Sequence, residues 1–152
     1  ALVARLKAEG LADPDLLVVD GHGIAHPRRF GVACWLGLAS GVPTLGCAKE
    51  SLLPSPEDPA APRGSDVPIL LDGEQVGWGL RLHDKVNPVF SSPGHLVSLE
   101  DARSQVMALP GDYRIPDPLR RADHACRMQC KGMLAEDDGQ ALGALQHVTP
   151  PW

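Results

Sequence analysis

The residue pattern predicts an α/β fold in which a mixed sheet is flanked by helices, and three observations point to it. Helical and strand patterns alternate through the opening third of the chain, and the order helix, strand, helix, strand implies two parallel strands joined by a right-handed crossover. The first strand, Leu16-Leu17-Val18-Val19, is an apolar run that reads as buried and central. It ends on Asp20 and the loop Gly21-His22-Gly23. Further on, Asp72-Gly73 stands between two apolar runs, the pattern of a tight antiparallel hairpin.

Taken in order, residues 1–10 read as the end of an amphipathic helix, with Leu2, Val3 and Leu6 on one face and Gly10 as its stop. A short loop, 11–15, leads into the strand 16–20. A Gly/His/Pro loop over 21–28 opens a helix from Arg29 to Ser40, mostly apolar and so expected to be well covered, which Gly41 ends. Val42 to Ala48 is a second strand that closes on Lys49. The proline-rich, acidic stretch 51–66 lacks any hydrophobic period and is expected to be an exposed, mobile loop. Strands follow at Val67 to Leu71 and Gln75 to Leu82, around the hairpin turn, with one more short strand at Asn87 to Ser91. Ser98-Leu99-Glu100-Asp101 places a capping serine three residues ahead of an acid, so a helix runs from there to about Leu109. Asp117-Pro118 opens the last helix, with Asp as cap and Pro in the first turn. Residues 1–131 thus read as one domain, and the acidic stretch 132–152, ending Thr149-Pro150-Pro151-Trp152, as a loose tail.

A chain of 152 residues fits one domain, and 43% hydrophobic residues against 4% aromatic ones predict an aliphatic core. The net charge of −5 excludes a global basic field, so any nucleic-acid contact needs a local patch or a metal that reverses the local charge. Cys34, Cys47, Cys126 and Cys130 form no disulfide framework and no signal peptide precedes them, which predicts a reducing, cytoplasmic compartment (nucleus or nucleolus in a eukaryote). No apolar run approaches the roughly 18 residues of a membrane span. The chain opens mid-pattern without Met, so its N-terminal part is expected to be missing, and a monomer is expected.

Asp20 is the first candidate for chemistry. Ligands gather at the carboxyl ends of strands in open α/β sheets, and a carboxylate there suits a divalent cation such as Mg²⁺. The glycines beside it let backbone N–H groups approach a ligand, although position 26 is His and the dinucleotide-binding spacing is not met. An Asp that merely caps the loop after a strand is the competing reading. Lys49, at the end of the next parallel strand, reaches the same sheet edge and suits a phosphate as a point charge, or is a solvated strand-end lysine. His95, in Ser92-Pro93-Gly94-His95 ahead of a capped helix, is placed either to handle water or phosphate, or as an ordinary loop histidine. Arg120, His124, Arg127 and Lys131 make a basic stripe that reads first as a solvated helix face. Cys126 and Cys130 lack the second pair that a zinc site needs and read as partly buried helix residues.

Three blocks of sequence resemble the endonuclease V family. The first is Val19-Asp20-Gly21-His22-Gly23-Ile24-Ala25-His26-Pro27-Arg28-Arg29-Phe30-Gly31-Val32-Ala33, and the second is Val42-Pro43-Thr44-Leu45-Gly46-Cys47-Ala48-Lys49. The third joins Asn87-Pro88-Val89-Phe90 and Gly94-His95-Leu96-Val97-Ser98 to Tyr113-Arg114-Ile115-Pro116-Asp117-Pro118 and Arg121-Ala122-Asp123. The resemblance implies a ribonuclease-H-like fold and a Mg²⁺-dependent endonuclease, with Mn²⁺ as a substitute. The implied reaction cuts single-stranded RNA or DNA 3′ of inosine or deoxyinosine, leaving a 5′-phosphate, with no membrane partner. Carried across, Asp20 matches a catalytic, metal-binding carboxylate, Lys49 a lysine near the scissile phosphate, and His95 an active-site histidine. Gly21, His22, Gly23 and His26 match the loop that lines the pocket for the extruded base.

Two departures follow from the same resemblance. The family's other metal-binding acids and its Pro-Tyr-x-Pro wedge would precede Ala1, and Glu50 stands where many relatives carry a second lysine. The chain alone is therefore expected to be inactive, or to bind inosine-containing strands without cutting them.

Overall fold

The computed structural model describes residues 14–54 and 57–130, with positions 8 and 10. The predicted N-terminal helix therefore lies almost wholly outside the described residues, as does the tail 132–152; Gly10, which is described, has the left-handed φ of +73° that suits a helix stop. Pro14–Arg120 form one compact unit.

This unit is a five-stranded mixed sheet. Strand β1 (Leu17–Val19) runs parallel to β2 (Thr44–Ala48), with Val19 opposite Gly46. The crossover between them is helix α1 (Val32–Ser40), which Gly41 ends with φ +71° and an N–H bonded to the Gly37 carbonyl. Antiparallel to β2 lies β5 (Val89–His95), then β4 (Glu74–Leu80) and the edge strand β3 (Asp66–Leu71), in the order β1-β2-β5-β4-β3. Asp72 and Gly73 both take positive φ, 54° and 81°, as the primed hairpin turn requires. Pro68, which donates no ladder bond, falls on the β3 edge with its side chain exposed.

Every residue of β2 is buried because both of its faces are covered. Thr44 and Gly46 face α1 and the 21–23 loop, and the Thr44 hydroxyl donates to the Ala33 carbonyl at 2.7 Å. Leu45 and Cys47 point the other way, into a core with Leu80, Val89, Ala102 and Val106. A smaller core joins Ala25, Leu53, Ile69 and Val76. Helix α2 (Leu99–Ala108) supplies Ala102 and Val106. It starts in the predicted capping box: the Ser98 hydroxyl accepts from the Asp101 N–H at 3.0 Å. We expect Ser98→Ala to lower stability by about 1 kcal/mol, read as a shift of the urea midpoint at unchanged slope. Helix α3 (Asp117–Cys130) begins at Asp117-Pro118, but Asp117 stands in its first turn rather than as its cap, since the Pro116 carbonyl accepts from the Arg120 N–H at 3.1 Å.

Five expectations are corrected. Among the described residues β1 is the outermost strand and half-buried, not central and buried, because only β2 pairs with it. Helix α1 starts three residues later than predicted, after the Gly31 cap, and its outer face leaves Leu38 exposed. The 51–66 segment is largely exposed, yet Leu53 and Pro59 are buried and the carbonyls of Pro59 and Ala60 accept from the buried Arg81 guanidinium. Cys126 is exposed rather than partly buried. Lastly, β5 extends through Ser92-Pro93-Gly94 to His95, residues whose propensities argue against a strand.

Tertiary partners override those propensities. The buried Ser91 hydroxyl donates to the Ala102 carbonyl at 2.8 Å, and that of Ser92 accepts from the Gly23 N–H at 2.9 Å. Pro93 sits where the β2–β5 register shifts, and its carbonyl accepts from the Ile24 N–H at 2.8 Å. At Gly94 there is no room for a side chain beside Ala33 and Thr44.

Candidate functional site

The parallel pairing of β1 and β2 brings both of their carboxyl ends to one edge of the sheet, where Asp20 follows β1 and Lys49 follows β2. The Lys49 ammonium stands 3.7 Å from the Asp20 Oδ2. Both side chains keep nearly half of their surface in solvent, 45% and 46%, so each is open to a ligand. An ion pair this exposed is weak, and its partners can be drawn apart by a ligand of higher charge density. Behind Asp20 the Cys47 thiol is pushed up to about 12, chiefly by burial and further by the Asp20 charge, and it stays a neutral part of the core.

The loop after Asp20 is held by its backbone. Its carbonyls at His22 and Gly23 accept from the N–H groups of Ala33 and Gly31, at 3.0 and 2.9 Å, which fastens it to the start of α1. On the other side, Gly23 N–H and Ile24 N–H bond to Ser92 and Pro93 of β5. The loop crosses directly over Gly46, where any side chain would strike the backbone of Gly21–Gly23. Glycine at 23 and 46 is thus a condition of close approach, and it keeps the loop rigid beside Asp20.

His22 is half-buried, with an Nδ1 that no described group bonds. Burial lowers its pKa, the nearby His26 lowers it further, and a backbone group of Glu50 opposes them. Those neighbours place His22 beside the end of β2. The His26 Nδ1 accepts from the Arg28 N–H at 3.1 Å, a bond that shapes the loop's own turn. Arg29, at φ +52°, then reaches the hairpin turn, where it pairs with Glu74 and Asp72 and donates to the Leu71 carbonyl.

His95 does not join this cluster, contrary to the expectation that it belongs with Asp20 and Lys49. Because β5 is antiparallel to β2, His95 pairs with Thr44 at the opposite end of β2. Four residues at roughly 3.3 Å each put it about 13 Å along the strand from Ala48. Its ring lies against Gly37 of α1. The order of residues along the chain placed His95 near a helix start, and only the strand direction reveals the wrong edge.

The basic stripe is spread along α3: Arg120 pairs with Asp117 and Arg127 with Asp123 in the same helix, His124 is exposed, and Lys131 lies outside the described residues. Among the described residues no three His, Cys, Asp or Glu side chains group as a metal site would. Among the described residues Asp20 thus belongs to no such three-donor group, whereas Mg²⁺ or Mn²⁺ held by protein uses further carboxylates or substrate oxygens. The described residues do not by themselves fit such an ion.

One participant had no role in the sequence reading. Arg114, on the segment before α3, donates to the carbonyl of Lys49 and, at 3.1 and 3.2 Å, to that of Pro88, and pairs with Glu50 at 3.5 Å. Its signal in the sequence was only its place beside Tyr113 and Pro116 in the last matching block.

Comparison with known proteins agrees with this architecture. A family model described as Endonuclease V matches residues 1–124. The Endonuclease V of Streptomyces avermitilis is 51% identical over 122 residues, which is 80% of this chain and 53% of that protein. The chain spans about half the length of the curated relatives it matches. The crystal structure of that Streptomyces protein superposes with a TM-score of 0.75 at 49% identity, over 82% of this chain and 54% of its own. The catalytic domain of human Endonuclease V superposes with a TM-score of 0.77 at 36% identity, over 87% and 60%. The Ciona intestinalis Endonuclease V, solved with a 24mer DNA containing an inosine followed by a ribo-adenosine, gives 0.69 at 30% identity, over 87% and 60%.

Proposed function

The chain belongs to the endonuclease V family, a family of nucleases, and from that premise we propose that it is part of an endonuclease that cuts a nucleic-acid strand 3′ of a deaminated base. The observation that carries this reading is the Asp20–Lys49 pair at 3.7 Å beside a glycine loop bonded to β5 and to the start of α1. In it, Lys49 contacts the phosphate next to the lesion as a point charge. Asp20 would supply one ligand to a divalent cation, Mg²⁺ with Mn²⁺ as substitute, only together with donors beyond the described residues or on the substrate. Gly21, His22 and Gly23 line the pocket for an inosine base turned out of its strand, with His26 holding the far side of the loop. The inosine-containing DNA bound by the Ciona relative supports the choice of ligand. His95 is left out of the catalytic set, and a ribonuclease-H-like ancestry of the sheet is part of the same proposal.

The lack of a three-donor metal group among the described residues favours a second reading for this chain taken alone: it binds inosine-containing RNA or DNA without cutting it. We derive no hydrolytic step through a metal, because the donors that would fix one are not among the described residues.

The test is a cleavage and binding assay with Mg²⁺ on labelled single-stranded RNA and DNA carrying one inosine. It compares this chain, a version extended upstream, and the extended version with Asp20→Ala. We expect binding by the short chain, cutting only by the extended one, and loss of cutting with Asp20→Ala or with chelator. Cleavage that survives Asp20→Ala would overturn the assignment of Asp20, and cleavage by the short chain at the rate of the extended one would overturn the reading of this chain as a non-cutting binder.

A further inference from the structure

The ladder between β2 and β5 ends at Ala48 opposite Phe90. Just outside the strand ends stand Lys49, one residue beyond that pair, and Pro88, two residues beyond it. The carbonyls of both accept from one guanidinium, that of Arg114: its Nη2 donates to Lys49 and to Pro88 at 3.1 Å, and its Nε donates to Pro88 at 3.2 Å. The exposed Glu50 carboxylate, 3.5 Å away, balances part of its charge. The Arg114 side chain is less exposed than that of Lys49, 28% against 45%. A planar fork of charged donors is suited to clipping two carbonyls at a fixed spacing, which a single ammonium is not.

We propose that Arg114 is a positioning residue for Lys49: it clips the open end of the β2–β5 pair and so sets where the Lys49 ammonium meets a phosphate. The proposal rests on the reading of Lys49 as a phosphate contact. The geometry argues for action through Lys49 and not for direct contact with the strand, since the described bonds of Arg114 occupy its Nε and its Nη2 with backbone carbonyls and leave Glu50 beside it. With the backbone of Lys49 held, the ammonium sweeps an arc set by its side chain alone, and that arc includes Asp20. Without the clip, the Lys49 carbonyl loses its bond to Arg114, and the ammonium charge is spread over a larger volume.

A double-mutant cycle on the whole chain tests this. Binding of a fluorescein-labelled single strand carrying one inosine is measured across a salt series for the parent, Lys49→Ala, Arg114→Ala, Arg114→Lys and the double variant. We expect Lys49→Ala and Arg114→Ala each to weaken binding roughly tenfold and to lower the salt slope by about 0.7, the loss of one phosphate contact. The double variant should bind no worse than Lys49→Ala, and Arg114→Lys should recover only part of the affinity. Equal, additive losses in the double variant would overturn the proposal, since Arg114 would then act independently of Lys49. An Arg114→Ala protein that binds as the parent does would overturn it too. If Arg114→Ala fails to fold, the same cycle with Arg114→Lys decides. Backbone ¹⁵N relaxation of Lys49 and Glu50 separates this proposal from the functional reading. Where no strand binds, or Lys49→Ala changes nothing, the functional reading fails, while a rise in local motion on replacing Arg114 upholds the clip and an unchanged order parameter sinks it.

Discussion

Replacing Gly23 with alanine is expected to destabilise the fold by about 3 kcal/mol, at the upper end of what overpacking costs. The added carbon would be driven into the Pro93 carbonyl and close to that of Ser92, both of them backbone of a central strand. Neither neighbour is the far end of a flexible side chain, so relief requires the loop to lift from β5. Lifting it breaks the Gly23 N–H bond to Ser92 and the Ile24 N–H bond to Pro93, and it moves the turn that follows Asp20. Stability and any inosine binding should therefore fall together. Gly41→Ala is the useful contrast. Nothing lies within 4 Å of a side chain there, and the only penalty is the left-handed φ of +71°, about 1 kcal/mol. Urea unfolding of both variants ranks them, and a Gly23→Ala protein no less stable than Gly41→Ala would refute the close-approach argument.

Arg81→Ala should be comparably damaging, by about 3 kcal/mol, since removing a buried charged donor leaves its acceptors unsatisfied. Arg81 is 7% exposed, and its described side-chain bonds all run to carbonyls: Pro59 at 2.6 Å, Ala60 at 3.2 Å, and Val86. Two of those carbonyls belong to the proline-rich segment, one to the turn after β4. The guanidinium thus substitutes for secondary structure in a stretch that has none. Arg81→Lys keeps the charge but loses the fork, so it should recover only a minor part. The measurement is again the urea midpoint, joined to proteolysis after Arg63, which should speed up as the segment is released. A segment that stays protected in Arg81→Ala would mean that Leu53 and Pro59 hold it by burial alone.

Local features of the fold were legible where one residue type has one physical use. Asp72-Gly73 admits the positive φ pair of a primed turn, Gly41 admits the left-handed cap, and Ser98 with Asp101 makes a capping box within four residues. The parallel pairing of β1 with β2 was legible too, since a strand, a helix of that length and a second strand leave few other connections. The strand β5 was not. Ser91, Ser92, Pro93 and Gly94 have the composition of a loop, and their reasons for being in a strand are Ala102, Gly23, Ile24 and Ala33, which lie elsewhere in the sequence. The burial of Pro59 and the anchoring of its segment escaped for the same reason: the partner, Arg81, lies 22 residues away.

The candidate site divides along the same line. By itself the sequence determined the two strand ends, the carboxylate and the lysine on them, and the glycine loop, because those depend on neighbours in the chain and on a single crossover whose handedness is set. It also carried the family. What the tertiary structure decided is which residues share an edge. Strand direction is a property of the assembled sheet, so it brought Asp20 and Lys49 to 3.7 Å and sent His95 to the other end of β2. It likewise brought Arg114, 65 residues beyond Lys49, onto the lysine's own carbonyl. A hydrogen bond between segments so distant leaves no period or spacing in either of them, and only folding brings its donor and acceptor together.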